Sequence, residues 1–261
     1  MNSPLSGLRV LVTRPDPQHQ TTCSAITGEG GAAFHFPLIK IEAISSDEAI
    51  QSIKSKIENL DHYQVLIFIS NNAAYYGANW ITEFWPQFPV GVQVVAVGPS
   101  TARKVSSELN CTVVHSEQGA SSENILDLDQ LKEVAGKKIA IFRGIGGREL
   151  LAETLLSRGA EVDYFEVYQR TPADNSSEQL ASILVAENIN VISVTSSESL
   201  HRLVDLINTS NLADSVVKKI PLIVPSSRVA EIAKQLGFFA VKIAKGAEVE
   251  ATINALQELA N

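Results

Sequence analysis

The chain carries an internal repeat whose units come in a different order in its two halves. Laid over itself without a gap, Leu8–Ile41 matches Lys137–Arg170: Val10 falls on Ile139, Val12 on Ile141, Arg14 on Arg143, Gly30 on Gly159 and Phe36 on Phe165. Val65–Asn72 matches Val191–Glu198, with Ser70 on Ser196, and Val97–Leu109 matches Val224–Leu236, with Ser100 on Ser227. Each matched unit reads as a short Val/Ile run, a small-residue turn and a longer amphipathic stretch, the pattern of βα units around a parallel sheet. Such a unit buries its apolar face only beside sister units. The permuted order therefore fixes a domain map.

Strands are expected at Leu8–Val12, Ala33–Phe36, Val65–Ile69, Val92–Val97, Thr112–His115, Lys138–Phe142, Glu161–Phe165, Asn190–Thr195, Ile220–Val224 and Ala240–Ile243. The five from Val65 to Phe165 make one five-stranded sheet, and the first two with the last three make another. On this reading residues 1–36 and 171–261 form one discontinuous domain and residues 43–164 a second. The crossings 37–42 and 165–170 are paired extended linkers. A split into two sequential domains near residue 130 leaves the first two strands with a sheet they do not match. Asp16-Pro17 is expected to start a helix, Ser176 with Gln179 to form a capping box, and Gly30, Gly159 and Gly237 to end helices.

Length and composition fit that map. The chain has 261 residues, 45% apolar and 19% charged, which suits two well-buried α/β domains and excludes a disordered or disulfide-stapled chain. Its net charge of −8 speaks against a nucleic-acid partner. The longest strongly apolar run, Val65–Ile69, is far short of a bilayer span, and Met1–Ser6 shows no signal-peptide pattern. With Cys23 and Cys111 far apart, the expectation is a reduced, cytoplasmic protein with no membrane partner.

In open parallel sheets, ligands bind outside the carboxyl ends of the strands. Here those ends read Thr13-Arg14-Pro15, Ser70-Asn71-Asn72, Gly98-Pro99-Ser100-Thr101, Arg143-Gly144-Ile145-Gly146-Gly147-Arg148, Ser196-Ser197 and Pro225-Ser226-Ser227. Helix capping accounts for any one of them alone. Together, at comparable strand ends of two domains, they suggest a donor-rich site for an anion, because helix N-termini present unpaired N–H groups. The Gly144–Gly147 turn invites a dinucleotide reading, but Glu149 stands where G-x-G-x-x-G needs its last glycine. The histidines His19, His35, His62, His115 and His201 show no metal-ligand spacing, so no metal site is expected. Tyr168 lies on the second crossing, where ordinary packing explains it as well as function does.

Val10–Pro15, Phe36–Ile41, Phe68–Ala73, Val97–Ala102, Phe142-Arg143-Gly144 with Gly147-Arg148, and Val167–Arg170 together resemble the uroporphyrinogen-III synthase family, in the family's order and across almost the whole chain. One departure is Val224-Pro225-Ser226-Ser227, which lacks the glycine of the family's second such turn. The resemblance implies two flavodoxin-like, doubly wound domains with five-stranded parallel sheets joined by two extended linkers, a HemD-like fold. It implies a cofactor-free lyase that cyclises the linear octacarboxylate hydroxymethylbilane, inverts its last pyrrole ring through a spiro intermediate and loses water; two domains that bury each other's tethers permit a monomer. It assigns Tyr168 as the hydrogen-bond or proton donor to the departing hydroxyl. Arg14, Arg143, Arg148 and the turns at Ser70, Asn71, Pro99, Ser100, Thr101, Gly144, Gly147, Ser196, Ser197, Ser226 and Ser227 would hold the carboxylates. Two other readings remain from the residues themselves: a nucleotide-dependent oxidoreductase using the Gly144 turn, and a two-lobed ligand-binding module without catalysis.

Overall fold

The computed structural model describes residues 3–117, 122–147, 149–210 and 213–260. The chain opens with β1 (Arg9–Val12), α1 (His19–Gly28), β2 (Ala32–His35) and β3 (Ile39–Ala43). It continues through α2 (Asp47–Ile57), β4 (Val65–Phe68), α3 (Asn71–Phe84), β5 (Gln93–Ala96), α4 (Pro99–Leu109) and β6 (Val113–His115). Next come α5 (Ser122–Leu126), α6 (Asp129–Lys132), β7 (Lys138–Gly144), α7 (Leu150–Ser157) and β8 (Glu161–Pro172). The last third holds α8 (Ser177–Ala186), β9 (Val191–Ser193), α9 (Ser197–Thr209), α10 (Asp214–Val217), β10 (Leu222–Val224), α11 (Ser227–Gln235), β11 (Val241–Ile243) and α12 (Val249–Ala260).

The chain divides into two compact units, residues 1–40 with 171–261, and residues 41–170. In the first unit the sheet order is β11-β10-β9-β1-β2, and every pairing is parallel. The N-terminal strand is therefore held by the C-terminal third: Val10, Leu11 and Val12 stand opposite Val191, Ile192 and Ser193. Its residues alternate between two cores. Leu11 packs with Ile192, Leu222 and Val224 on one face, and Val10 and Val12 pack with Val191 and Ile223 on the other. Both faces are covered, which is why these strands read as continuous apolar runs.

The second unit has the order β3-β8-β7-β4-β5-β6. Exchanging each strand for its repeat partner (β7 for β1, β8 for β2, β4 for β9, β5 for β10, β6 for β11) reproduces the order of the first sheet. Leu66, Phe68, Ala140 and Phe142 face one core, and Val65, Ile67, Ile139 and Ile141 face the other.

Two expectations need correction. The second sheet has six strands rather than five, because the 37–42 crossing contributes β3 to the edge of β8. β8 also runs on to Pro172 instead of stopping at Phe165, and an edge that long presents unpaired backbone groups for another strand to satisfy. The second correction concerns α1, which starts at His19 without a side-chain cap; the Asp16–Pro17 peptide is cis and lies in the turn before it. Ser176 and Gln179 do form a reciprocal capping box, and Gly30, Gly159 and Gly237 follow their helices at positive φ.

Helix α3 lies so close to its sheet that Gly77 has no room for a methyl group. A Cβ there would stand 2.6 Å from a Phe142 ring carbon and 2.9 Å from one of Phe68, whose rings already stack at 4.5 Å. Helix propensity favours alanine over glycine by about 1 kcal/mol, yet overpacking a filled core costs about 1–3 kcal/mol. Gly77→Ala should therefore lower stability in urea unfolding. Gly28→Ala in α1, where a Cβ meets nothing within 4 Å, should leave stability unchanged or raise it. A stabilised Gly77→Ala would contradict this packing.

Candidate functional site

In each sheet the connections leave in opposite directions from one central pair of strands. β4 leads through α3 to β5 on one side while its neighbour β7 leads through α7 to β8 on the other; β9 and β1 play the same parts in the first unit. The carboxyl ends of such a pair diverge and leave a crevice, the usual ligand position in this topology.

In the second unit that position gathers Ser70, Gly144 and Tyr168. Ser70 caps α3 in an extended conformation, its Oγ accepting the Ala73 N–H at 3.0 Å. The same Oγ lies 3.3 Å from the Tyr168 hydroxyl. Arg170 Nη2 donates to that hydroxyl at 3.2 Å, and its guanidinium sits 5.5 Å from the Tyr168 ring centre. The ring is 1% exposed and stacks on Tyr76 at 5.8 Å. Its other neighbour is Gly144, where a Cβ would stand 2.6 Å from Tyr168 Cε2. Glycine is thus required there by the close approach of the tyrosine. The β7–β8 register slips between Arg143 and Gly144, which sets Gly144 opposite Tyr168.

Beside this group, Asn71 ties the starts of two helices together. Its Nδ2 donates to Ser100 Oγ at 3.0 Å, and its Oδ1 accepts from Thr101 Oγ1 at 3.1 Å. Pro99 is the first residue of α4, where its missing N–H leaves nothing unsatisfied. Arg143 is 3% exposed and turned into its own loop. Its Nε donates to Gly144 O at 3.3 Å, its Nη2 to Gly146 O, and its guanidinium lies 4.5 Å over the Tyr164 ring. A side chain at Gly147, φ +108°, would stand 2.7 Å from Arg143 Nη2. Arg143 therefore braces the glycine turn. Glu166 accepts the Gly146 N–H at 3.4 Å, so this acid closes on the turn itself. Arg148 lies outside the described residues.

In the first unit Ser196 caps α9 as Ser70 caps α3, accepting the Ser199 N–H at 3.0 Å, and Ser197 is the first helical residue. Ser226 caps α11 at 3.4 Å from Val229 N, with Ser227 following. The departure Pro225-Ser226 moves this cap one residue along from its repeat partner Gly98, and a hydroxyl does the capping where α4 has none. Thr13 Oγ1 donates to Ser193 O at 2.7 Å, linking β1 to β9 at the crevice. Arg14 is half-buried and donates to Ala247 O. Burial pushes its pKa down, and the carboxylate of Glu248 works against that shift.

The sequence reading passed over two groups. Arg170 stands two residues beyond Tyr168 on a strand, and that period of two, which places both on one face, was the available signal. His19 and His35, distant in sequence, come together beside Asp16. Among the described residues, no helix is long and apolar enough to cross a membrane.

Residues 20–254 match the family model described as Uroporphyrinogen-III synthase HemD. The chain is 31% identical over 253 residues to uroporphyrinogen-III synthase of Escherichia coli K12, covering 96% of this chain and all of that one. The Salmonella typhimurium protein of the same name is 30% identical over 250 residues, again over its full length. A solved uroporphyrinogen III synthase from the extreme thermophile Thermus thermophilus, a mutant, shares the fold at TM-score 0.60 and 12% identity, over 97% of this chain and 98% of that one. A family match over most of the chain, relatives aligned end to end and a shared parallel α/β architecture agree: the chain belongs to the uroporphyrinogen-III synthase family.

Proposed function

We propose that this chain is a uroporphyrinogen-III synthase, a lyase that converts linear hydroxymethylbilane to uroporphyrinogen III and water without a cofactor, in tetrapyrrole synthesis. The observation that carries the reading is the full-length match to relatives of that name, 31% identical over 253 residues. The reaction asks for orientation more than for covalent help. The terminal C–O bond breaks and the hydroxyl leaves as water. The substituted α-carbon of the last ring bonds to the methylene carbon that lost its hydroxyl, giving a spiro intermediate. Its older bond to the neighbouring bridging methylene breaks and re-forms at the ring's free α-carbon, whose lost proton balances the one delivered to the hydroxyl.

Tyr168 is the donor we assign to the leaving hydroxyl. A guanidinium only donates, so the Tyr168 oxygen accepts from Arg170. Its own proton is directed away from Arg170, to Ser70 or to a substrate oxygen. The backbone N–H groups at the starts of α3, α4, α9 and α11 and the side chains of Arg14 and Arg148 are the carboxylate donors in this reading. Arg143 acts by shaping the Gly144–Gly147 turn. Residues 37–42 and 165–170 serve as the paired linkers of two doubly wound domains. The enzyme works as a cytoplasmic monomer, with a small molecule as its only partner.

Two measurements test this. Supplied with freshly made hydroxymethylbilane, the chain should yield the type III isomer; only the type I isomer of spontaneous closure would refute the assignment. Tyr168→Phe keeps the packed ring and should fold with an unchanged melting temperature while turnover drops by about 100-fold or more, the lower end for loss of a general acid. Wild-type turnover in that variant would remove Tyr168 from the mechanism.

A further inference from the structure

Two histidines that the synthase reading does not use meet in the first unit. His19 opens α1 and His35 closes β2; their rings lie parallel, with centroids 3.5 Å apart and planes 9° from one another. Asp16, in the turn before α1, places Oδ1 2.9 Å from His19 Nδ1. One ligand-capable atom from each of the three lies within 4.8 Å of the other two. Among the described residues no other three histidine, cysteine or acidic side chains group this closely.

The tautomer of His35 follows from its partner. Its Nε2 lies 2.8 Å from the carbonyl oxygen of Arg14, which can only accept, so Nε2 carries the proton and Nδ1 keeps its lone pair. A ring N–H held by a backbone carbonyl is the contact that typically orients a metal-ligating histidine. Burial pushes the His35 pKa down; the Arg14 carbonyl opposes this, the His19 ring adds to it and Asp16 opposes it. The His19 side chain is 18% exposed and Asp16 72% exposed, so the group is anchored on one side and open to solvent on the other.

We propose that Asp16, His19 and His35 bind one divalent transition-metal ion of the zinc or cobalt class. Two imidazoles and a carboxylate suit such an ion better than magnesium or calcium, which prefer all-oxygen sites. Bonds of ~2.0–2.1 Å place tetrahedral ligand atoms roughly 3.3 Å apart, so His35 must draw in, Asp16 Oδ1 and His19 Nδ1, 2.9 Å apart, must open slightly, and the rings must tilt from parallel. Asp16 is exposed, and each histidine sits at the end of its element, where such movement is least resisted. Three protein ligands leave a position for water or for a carboxylate from outside. Because His35 is held by the Arg14 carbonyl, an ion here stiffens the turn that carries Arg14. The site stands independently of the reaction assigned above.

The test uses the untagged full chain, stripped with a chelator and titrated with Co2+ and then Zn2+. One equivalent of cobalt should bind with the visible bands of a low-coordinate ion, be displaced by zinc, and raise the melting temperature as a native-state ligand does. His19→Phe keeps a ring in the stack but offers no ligand, and should weaken binding about tenfold or more. Asp16→Asn, at an exposed position, gives the same readout should His19→Phe fail to fold. The absence of saturable cobalt uptake, or uptake unchanged in the folded variant, would overturn the proposal.

Discussion

The ladder between β1 and β9 is the interaction on which the architecture depends. It pairs Val10–Val12 with Val191–Ser193 and so joins the first strand of the chain to its last third. Without it β1 and β2 would form a two-stranded ribbon with both faces bare, which is not stable alone. With it Leu11 enters one core and Val10 and Val12 the other. Fully burying side chains of this size stabilises by about 1.5–3 kcal/mol each. The excursion that builds the second sheet is therefore an insertion into an unfinished first sheet, and both sheets share one order of repeat-related strands, with β3 added at an edge of the second.

That shared order places chemistry at equivalent points. Where the central strands diverge, Ser70 and Ser196 cap their helices with the same geometry. The second unit adds what the first lacks: β8 continues past the point where β2 stops and carries Tyr168 over Gly144. Ser70 and Arg170 then fix the phenol oxygen from two sides. A group held this way loses little further freedom when a substrate arrives, the main service an enzyme can offer a flexible linear substrate.

The strands and the permuted repeat were legible because parallel strands covered on both faces must be apolar throughout, and because Gly30 and Gly159 share a left-handed backbone, φ +84° in both. The Ser70 and Ser196 caps were legible for the same local reasons. What escaped was set by contacts the residue types do not name, some distant and some within one turn. The pairing of the two extended crossings was legible, but not that it makes Ile39–Ala43 a sixth strand on the edge of β8. Arg143 reads as an anion donor from its place after a strand, yet the tight Gly144–Gly147 turn folds back onto its guanidinium. Asp16-Pro17 carries a helix-start pattern, yet α1 begins two residues further on, at His19, without a side-chain cap. His19 and His35 are separated by a whole helix in sequence and meet only when β2 lies beside β1.

We propose that ligand carboxylates are held at the carboxyl ends of the strands, mainly by helix N-termini. Hydrogen–deuterium exchange on the chain with and without uroporphyrinogen III tests it most directly. Slower amide exchange is expected around residues 70–73, 98–102 and 144–147 in the second unit and around 196–199 and 226–229 in the first, with the opposite strand ends unchanged. No protection at any of these carboxyl ends, or protection centred on the amino ends of the strands, would contradict it.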